Sequence, residues 1–246
     1  MDYKKIIEEL IAEPSRVAFY LSCGDIELTI AGFDAFISAA KSNKRIFEEH
    51  SKIVISILCF ETVPNLMSDN SPICREALCK IIEGIRELVF IFNDKDIFVP
   101  VFPQLEVLIL SPSPSVKASA MRCLGSLIRA HPTKSSEKVI EKLSDELKSP
   151  ESRVRVAALN AWGEIVESSP LSARKVTGKI QELLTDPTPM VRAEAAGYFK
   201  IIAEKKCPEC ASALPILRFL RDKDPDELVR ERASAAIQAI TDFISI

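Results

Sequence analysis

Apolar residues recur along this chain with the spacing of one face of an α-helix, in six segments that resemble one another. The four later segments begin at residues 111, 149, 186 and 224, and each has a valine five residues on. These valines, spaced 38, 37 and 38 residues apart, are Val116, Val154, Val191 and Val229. Two degenerate copies centre on Leu28 and Ile73. A near-constant period of this length predicts a repeat architecture.

Two further positions are shared by all six segments. Four residues after the central apolar residue stands a small one, namely Gly32, Ala77, Ala120, Ala158, Ala195 and Ala233. Eight residues after it stands a large one, namely Phe36, Ile81, Leu124, Trp162, Phe199 and Ile237. These positions fall on one side of an α-helix, so each segment is predicted to form a helix with a buried face. The small position should let a neighbouring helix approach closely.

The dipeptides before these helices predict where they begin. Ser111, Ser149, Asp186 and Asp224 are each followed by proline, which indicates a capping side chain and then a ring at the first helical residue. Helical patterns also fill the intervening segments, which predicts a partner helix in each repeat. Several partner helices contain proline, at Pro14, Pro100, Pro103 and Pro215, and we expect kinks there.

The order of partner helix, Asp-Pro or Ser-Pro, Val-Arg and then a helix of small residues resembles the HEAT repeat. The resemblance implies an all-α, right-handed α-solenoid of about six two-helix HEAT-like repeats, with about twelve helices and a concave face on which partners dock. A single domain, 1–246, is expected. Its repeats would cover 3–42, 43–92, 93–131, 132–168, 169–205 and 206–246.

Composition and charge agree with this prediction and narrow the partners. Of the 246 residues 47% are hydrophobic and 27% charged, with only 7 glycines, which favours helices joined by short connections. Net charge is −3, so nucleic acid is not the expected partner. Residues 1–110 carry 11 basic and 17 acidic side chains, whereas residues 111–246 carry 21 and 18. The second half is therefore mildly basic and would suit an acidic segment of a protein.

The sequence contains no apolar run long enough to span a membrane and no secretory signal pattern at its first residues. Seven cysteines, most of them within helical apolar patterns, indicate reduced thiols rather than a disulfide framework. We therefore expect an intracellular protein, in the cytoplasm or the nucleus, without a membrane partner.

A cationic row is the main candidate site: Lys117, Arg155, Arg192 and Arg230 each follow the valine of one repeat. Such a row could bind an acidic segment of a partner protein. Equally, the same position in HEAT repeats commonly pairs with an aspartate near the preceding turn, and Asp186 and Asp224 are available for that role. Both interpretations are compatible, because a guanidinium has five donors.

Cofactor chemistry finds little support in the sequence. Cys207 and Cys210 form the only CxxC pair, whereas a structural zinc site needs four ligands and no second pair lies nearby. The HEAT-like iron hydroxylases hold their metal with His-Glu pairs, but His50 and His131 are not followed by glutamate. We predict no catalytic residue, no cofactor and no metal.

The predicted function is a non-catalytic protein-interaction scaffold or assembly adaptor, similar to armadillo-like proteins, that binds its partner on the concave or inter-helix-turn face. One alternative is a tubulin-binding TOG-like domain, although residues 24–27 lack the tryptophan of that family's first turn. Another is a HEAT-fold nucleic-acid enzyme similar to DNA glycosylases, although the chain is not basic and Trp162 falls at a predicted core position.

Overall fold

The computed structural model describes residues 3–92 and 95–245, and these ranges contain fourteen α-helices and no β-strand. The chain divides into two compact units, Met1–Cys123 and Leu124–Ile246. No helix in the described ranges combines the length and the apolar character needed to cross a bilayer. The first half contains α1 (Tyr3–Ala12), α2 (Val17–Ser22), α3 (Ile26–Ser42), α4 (Lys44–Ile57), α5 (Val63–Ser68), α6 (Pro72–Ile91) and α7 (Val101–Leu108), and α8 (Pro114–Ala130) includes the point of division. The second half contains α9 (Glu137–Asp145), α10 (Ser152–Ser168), α11 (Thr177–Glu182), α12 (Pro189–Glu204), α13 (Leu214–Lys223) and α14 (Glu227–Ile244).

The six predicted repeat helices are α3, α6, α8, α10, α12 and α14, which we call the B helices. All six small positions are buried, and so are the large positions except Ile237, which is half-buried. The central residue of the second copy was predicted on the buried face, but Ile73 is 66% exposed, and Leu28 at the corresponding position of the first copy is half-buried. In α6 the first buried residue is Cys74, which shares a helical face with Ala77 and Ile81. The pattern there is offset by one residue.

Two of the six partner regions consist of two helices each, which raises the count from the expected twelve to fourteen. In the first repeat, a 3-10 turn beginning at Pro14 separates α1 from α2. The other prolines do not kink a helix, contrary to expectation. Pro100 immediately precedes α7, Pro103 is its third residue, and Pro215 is the second residue of α13. The first turn of a helix leaves its N–H groups unpaired, so proline is tolerated there.

The second split partner region contains a π-helical turn, Leu58–Thr62, between α4 and α5. Pro64 lies in the first turn of α5, and its ring leaves no N–H for the carbonyl four residues earlier. The N–H of Val63 donates to the carbonyl of Leu58, five residues back. The wider turn therefore lets the chain pass through proline without leaving a helical path.

Two close approaches depend on glycine. A Cβ at Gly32 in α3 would lie 2.3 Å from the Cβ of Tyr20 in α2, as expected for the small position of the first repeat. A Cβ at Gly125 would lie 2.6 Å from the Cα of Ala161, so α8 and α10 meet there almost backbone to backbone. A side chain at Gly125 would force these two helices apart.

The turn that follows α12 contains the one non-glycine residue of the described ranges with a positive φ. Lys206 has φ 58°, its N–H donates to the carbonyl of Ala203 at 2.8 Å, and the N–H of Cys207 donates to that of Ile202 at 2.9 Å. This pair of bonds is the Schellman motif, whose left-handed residue is usually glycine because a Cβ is strained there.

Replacing Lys206 by glycine should therefore raise the free energy of unfolding by about 1 kcal/mol. Urea unfolding followed by the fluorescence of Trp162, the single tryptophan of the chain, measures the change. Lys205→Gly is the matched control, because Lys205 has φ −84° and gains nothing from glycine. Equal effects of the two substitutions would contradict the assignment.

Candidate functional site

The Ser and Asp residues that were predicted to cap the B helices have a different role in the structure. The helices begin at Pro114, Ser152, Pro189 and Glu227, in each case two residues after the proline of the Ser-Pro or Asp-Pro dipeptide. The predicted capping residues therefore lie in the turn and not at the helix start. Asp186 Oδ1 accepts the N–H of Thr188 at 2.8 Å, and Asp224 Oδ1 accepts that of Asp226 at 3.0 Å. A side chain that bonds the N–H two residues on closes an Asx turn.

Arg155, in the first turn of α10, forms hydrogen bonds through all three nitrogens of its guanidinium. Nε and Nη2 donate to Oδ2 and Oδ1 of Asp186 at 2.8 and 2.9 Å. Nη1 donates to the carbonyls of Ser149 and Pro150 at 2.8 and 2.9 Å. The fork thus binds a carboxylate on one side and anchors to the backbone of its own turn on the other.

Arg192, in the first turn of α12, repeats this arrangement. Nε and Nη2 donate to Oδ2 and Oδ1 of Asp224 at 2.7 and 2.8 Å, and Nη1 donates to the carbonyls of Asp186 and Pro187 at 2.8 and 3.2 Å. The side chains of Arg192 and Asp224 are 11% and 3% exposed. We call the two pairs, Arg155 with Asp186 and Arg192 with Asp224, the rungs.

The charge state of the second rung is set by the pair itself. The hydrogen bond from Arg192 holds the pKa of the Asp224 carboxyl below its ordinary value, with further help from the N–H of Asp226. The same bond raises the pKa of Arg192. Both groups are therefore charged throughout the neutral range.

The rungs correct the predicted pairing in direction. Each arginine was expected to pair with the aspartate of its preceding turn, but it bonds the carbonyl oxygens of that turn. The carboxylate comes instead from the turn of the following repeat, 31 residues after Arg155 and 32 after Arg192. Because the Asx turn uses only part of the carboxylate's acceptor capacity, Asp186 and Asp224 can serve both their own turn and the previous repeat.

Arg230, in the first turn of α14, has the anchor without the rung. Its Nη1 donates to the carbonyls of Asp224 and Pro225 at 2.8 and 3.0 Å, as in the two preceding repeats. Within residues 3–92 and 95–245 it forms no ion pair, and its Nε and Nη2 bond no acceptor. The residue as a whole is half-buried.

Lys117 is the fourth member of the predicted cationic row. It is half-buried in the first turn of α8, within the first compact unit, whereas the three arginines belong to the second. A lysine ammonium has no planar fork, so the bidentate geometry of the rungs is not open to it.

Cys207 and Cys210 flank the start of the 3-10 segment Pro208–Ala213, and both are buried. Burial raises the pKa of both thiols, so they are protonated at neutral pH. Cys207 donates its S–H to the carbonyl of Pro170 at 3.5 Å. No group of three or more His, Cys, Asp or Glu side chains in the described part of the chain could hold a metal ion. All seven cysteines are free thiols.

Trp162 is fully buried in α10, as its position in the repeat predicts. Phe33, Phe36 and Tyr20 are buried too, whereas Phe19 is 65% exposed. A buried indole cannot stack on a nucleic-acid base, which is how aromatic side chains bind single strands.

Two features of the structure that were not predicted have a regular spacing in the sequence. The interval from arginine to aspartate is nearly constant in the two rungs, which is the spacing of a contact between successive repeats. Glycine also occurs nine residues after the valine in two successive copies, at Gly125 and Gly163. At Gly163 an added Cβ would lie 3.1 Å from the Cδ1 of Ile201 in α12, so both glycines face the next B helix.

Comparison with known families confirms the repeat assignment in the second half. Residues 140–238 match the family described as HEAT repeats. The matched segment begins after the degenerate copies and includes both rungs and Arg230. No curated protein matches the sequence closely enough to be a relative.

The solved structures to which the chain is similar include two engineered proteins and a designed armadillo repeat protein. One engineered protein has a TM-score of 0.59 at 21% identity, over 94% of this chain and 99% of that one. Another has a TM-score of 0.57 at 19% identity, with coverages of 93% and 96%. A designed armadillo repeat protein in complex with the peptide (KR)4 has a TM-score of 0.56 at 20% identity, with coverages of 93% and 99%. These likenesses show an all-α repeat-solenoid fold.

Proposed function

We propose that this chain, an α-solenoid of HEAT repeats, is a non-catalytic scaffold that binds an acidic segment of another protein on its inter-helix-turn face. The observation that carries the proposal is the common orientation of Arg155, Arg192 and Arg230. Each guanidinium is anchored through Nη1 to two carbonyls of its own turn, at distances from 2.8 to 3.2 Å. Cations fixed in this way lose little conformational freedom on binding a partner.

The members of the cationic row contribute differently to this function. Arg155 and Arg192 each donate two N–H groups to the carboxylate of their rung and two to backbone carbonyls, so they add positive potential and one remaining N–H each. Arg230 adds a cation without a carboxylate partner in the described ranges. Lys117 is proposed to extend the same preference in the first unit. The mildly basic second half, net +3 over residues 111–246, favours an acidic segment over a basic one.

Repeat solenoids present similar side chains at regular intervals, which suits an extended peptide. The designed armadillo repeat protein with a similar fold is in complex with (KR)4, a basic peptide. Here the proposed partner has the opposite charge, because the residues at the start of the B helices are basic.

Binding of a labelled (DE)4 peptide, measured by fluorescence anisotropy on the full chain, tests the proposal. We expect tighter binding of (DE)4 than of (KR)4, with an affinity that falls as salt rises from about 0.05 to about 0.5 M. A photoreactive version of the peptide should cross-link to the first turns of α10, α12 and α14. Equal affinity for both peptides, or cross-links elsewhere, would refute the proposal.

The two alternative functions have different signatures. A TOG-like domain would co-sediment with tubulin, and a glycosylase-like protein would retain duplex DNA in a gel at low salt. We expect neither, and either result together with failure of the (DE)4 assay would replace the scaffold proposal.

A further inference from the structure

Arg230 repeats one half of a motif that is complete twice in the same unit. In the complete copies, the backbone anchor on Nη1 orients the fork so that Nε and Nη2 point to the carboxylate of an Asp-Pro turn. Arg230 has the same anchor, with distances of 2.8 and 3.0 Å. Its Nε and Nη2 are the donors that hold an aspartate in the other two copies.

The nearest acid does not complete the motif. Asp226 caps α14, accepting the N–H of Val229 at 3.2 Å, and forms no ion pair with Arg230. Asp224 is bound by Arg192. Both carboxylates are thus engaged elsewhere, and Arg230 is left as an oriented fork at the start of a helix.

We propose that Arg230 is a specific receptor for an aspartate carboxylate presented in an Asp-Pro turn by a partner protein. The inference rests on the proposed acidic-segment function and narrows it to one residue and one ligand. The two rungs are its templates: in each, the aspartate lies before proline and its Oδ1 also closes an Asx turn. A planar fork matches both oxygens of the carboxylate, which makes recognition bidentate and geometrically selective.

The probe is a blocked peptide with the chain's own turn sequence, Leu-Thr-Asp-Pro-Thr-Pro, residues 184–189. Titration into the full-length protein is followed by NMR, through the resonances of the arginine Nε–H groups. We expect the Arg230 signal to shift on binding while those of Arg155 and Arg192 remain in place. The peptide with asparagine in place of aspartate should bind at least about tenfold more weakly, because it loses the charge-assisted bonds.

Three variants separate recognition by the fork from simple attraction between charges. Arg230→Gln should abolish binding of the aspartate peptide, and Arg230→Lys, which keeps the charge without the fork, should weaken it by about tenfold. Arg232→Gln, the matched control, removes a charge from an exposed residue of the same helix and should leave binding unchanged. Thermal unfolding of each variant checks that the fold is retained.

The outcomes distinguish this inference from the broader function. Suppose that (DE)4 binds the protein but the Asp-Pro peptide does not, or that the Asp-Pro peptide binds the Arg230→Gln variant as tightly as the native chain. In either case the Arg230 receptor is refuted and the scaffold proposal stands. If neither peptide binds the native chain, both proposals fail. Equal binding of the aspartate and asparagine peptides would also overturn the receptor assignment.

Discussion

Replacing Asp224 by alanine should lower the free energy of unfolding of the second unit by about 3–5 kcal/mol, because it leaves the buried guanidinium of Arg192 without its carboxylate. The side chains of this pair are 11% and 3% exposed, so water cannot replace the lost partner fully. The substitution also removes the bond that closes the turn at Asp226. Urea unfolding followed by Trp162 fluorescence reports on this unit, since Trp162 lies in α10.

Asp222→Ala is the matched control, because Asp222 pairs with its neighbour Arg221 at an exposed position and should change stability little. The pH dependence gives a second readout. Because the folded pKa of Asp224 is depressed, its contribution is present above the unfolded pKa, near 3.9, and is lost as pH falls through the lower folded value. The native protein should therefore lose more stability on acidification than Asp224→Asn. Parallel pH profiles, or a small effect of Asp224→Ala, would refute the rung as a stabilising pair.

Replacing Gly125 by valine should lower the free energy of unfolding by about 3 kcal/mol, at the upper end of the cost of overpacking a core. The added Cβ would lie 2.6 Å from the Cα of Ala161, and a backbone atom cannot rotate away as a side chain can. Relief requires α8 and α10 to separate, which also disturbs the packing around Trp162. The same unfolding measurement applies.

Gly178→Val is the matched control for this substitution. Gly178 is exposed in α11, and a Cβ there would meet no atom within 4 Å. Valine is a slightly better helix former than glycine, so stability should stay the same or rise slightly. Similar losses at both positions would show that the effect comes from β-branching and not from the close approach of the helices.

The sequence was sufficient for the repeat register where local signals agreed with one another. At Val154, Ala158 and Trp162 the helical period predicts one buried face, and all three residues are buried. The degenerate second copy misled at Ile73, because proline at residue 72 starts the helix and a single apolar residue does not define which side of its first turn faces inward. The structure shows that Cys74, which behaves as a small apolar residue in cores, takes that place.

The candidate site was less predictable, since its geometry depends on contacts between repeats. The arginines were identified from their position after the valines, but the acceptor of each fork was not, because nothing local distinguishes the preceding turn from the following one. The position of the helix start was also ambiguous. An aspartate before proline is compatible either with the N-cap of a helix or with an Asx turn that precedes the N-cap. Only the hydrogen bond from the Thr188 N–H to Asp186 shows that Asp186 closes an Asx turn.

Asp186 and Asp224 each bond two repeats, and this links the opening of a turn to the loss of a contact between neighbouring repeats. Each carboxylate closes the turn of its own repeat and binds the arginine of the repeat before it, so the turn cannot open without loss of a bond between neighbours. In a linear array, the ratio of such nearest-neighbour coupling to the intrinsic stability of one repeat sets how many repeats melt together. The backbone amides of α10, α12 and α14 should consequently exchange hydrogen through one shared opening of the three helices. Replacement of either aspartate should let these helices open separately, with different free energies of opening.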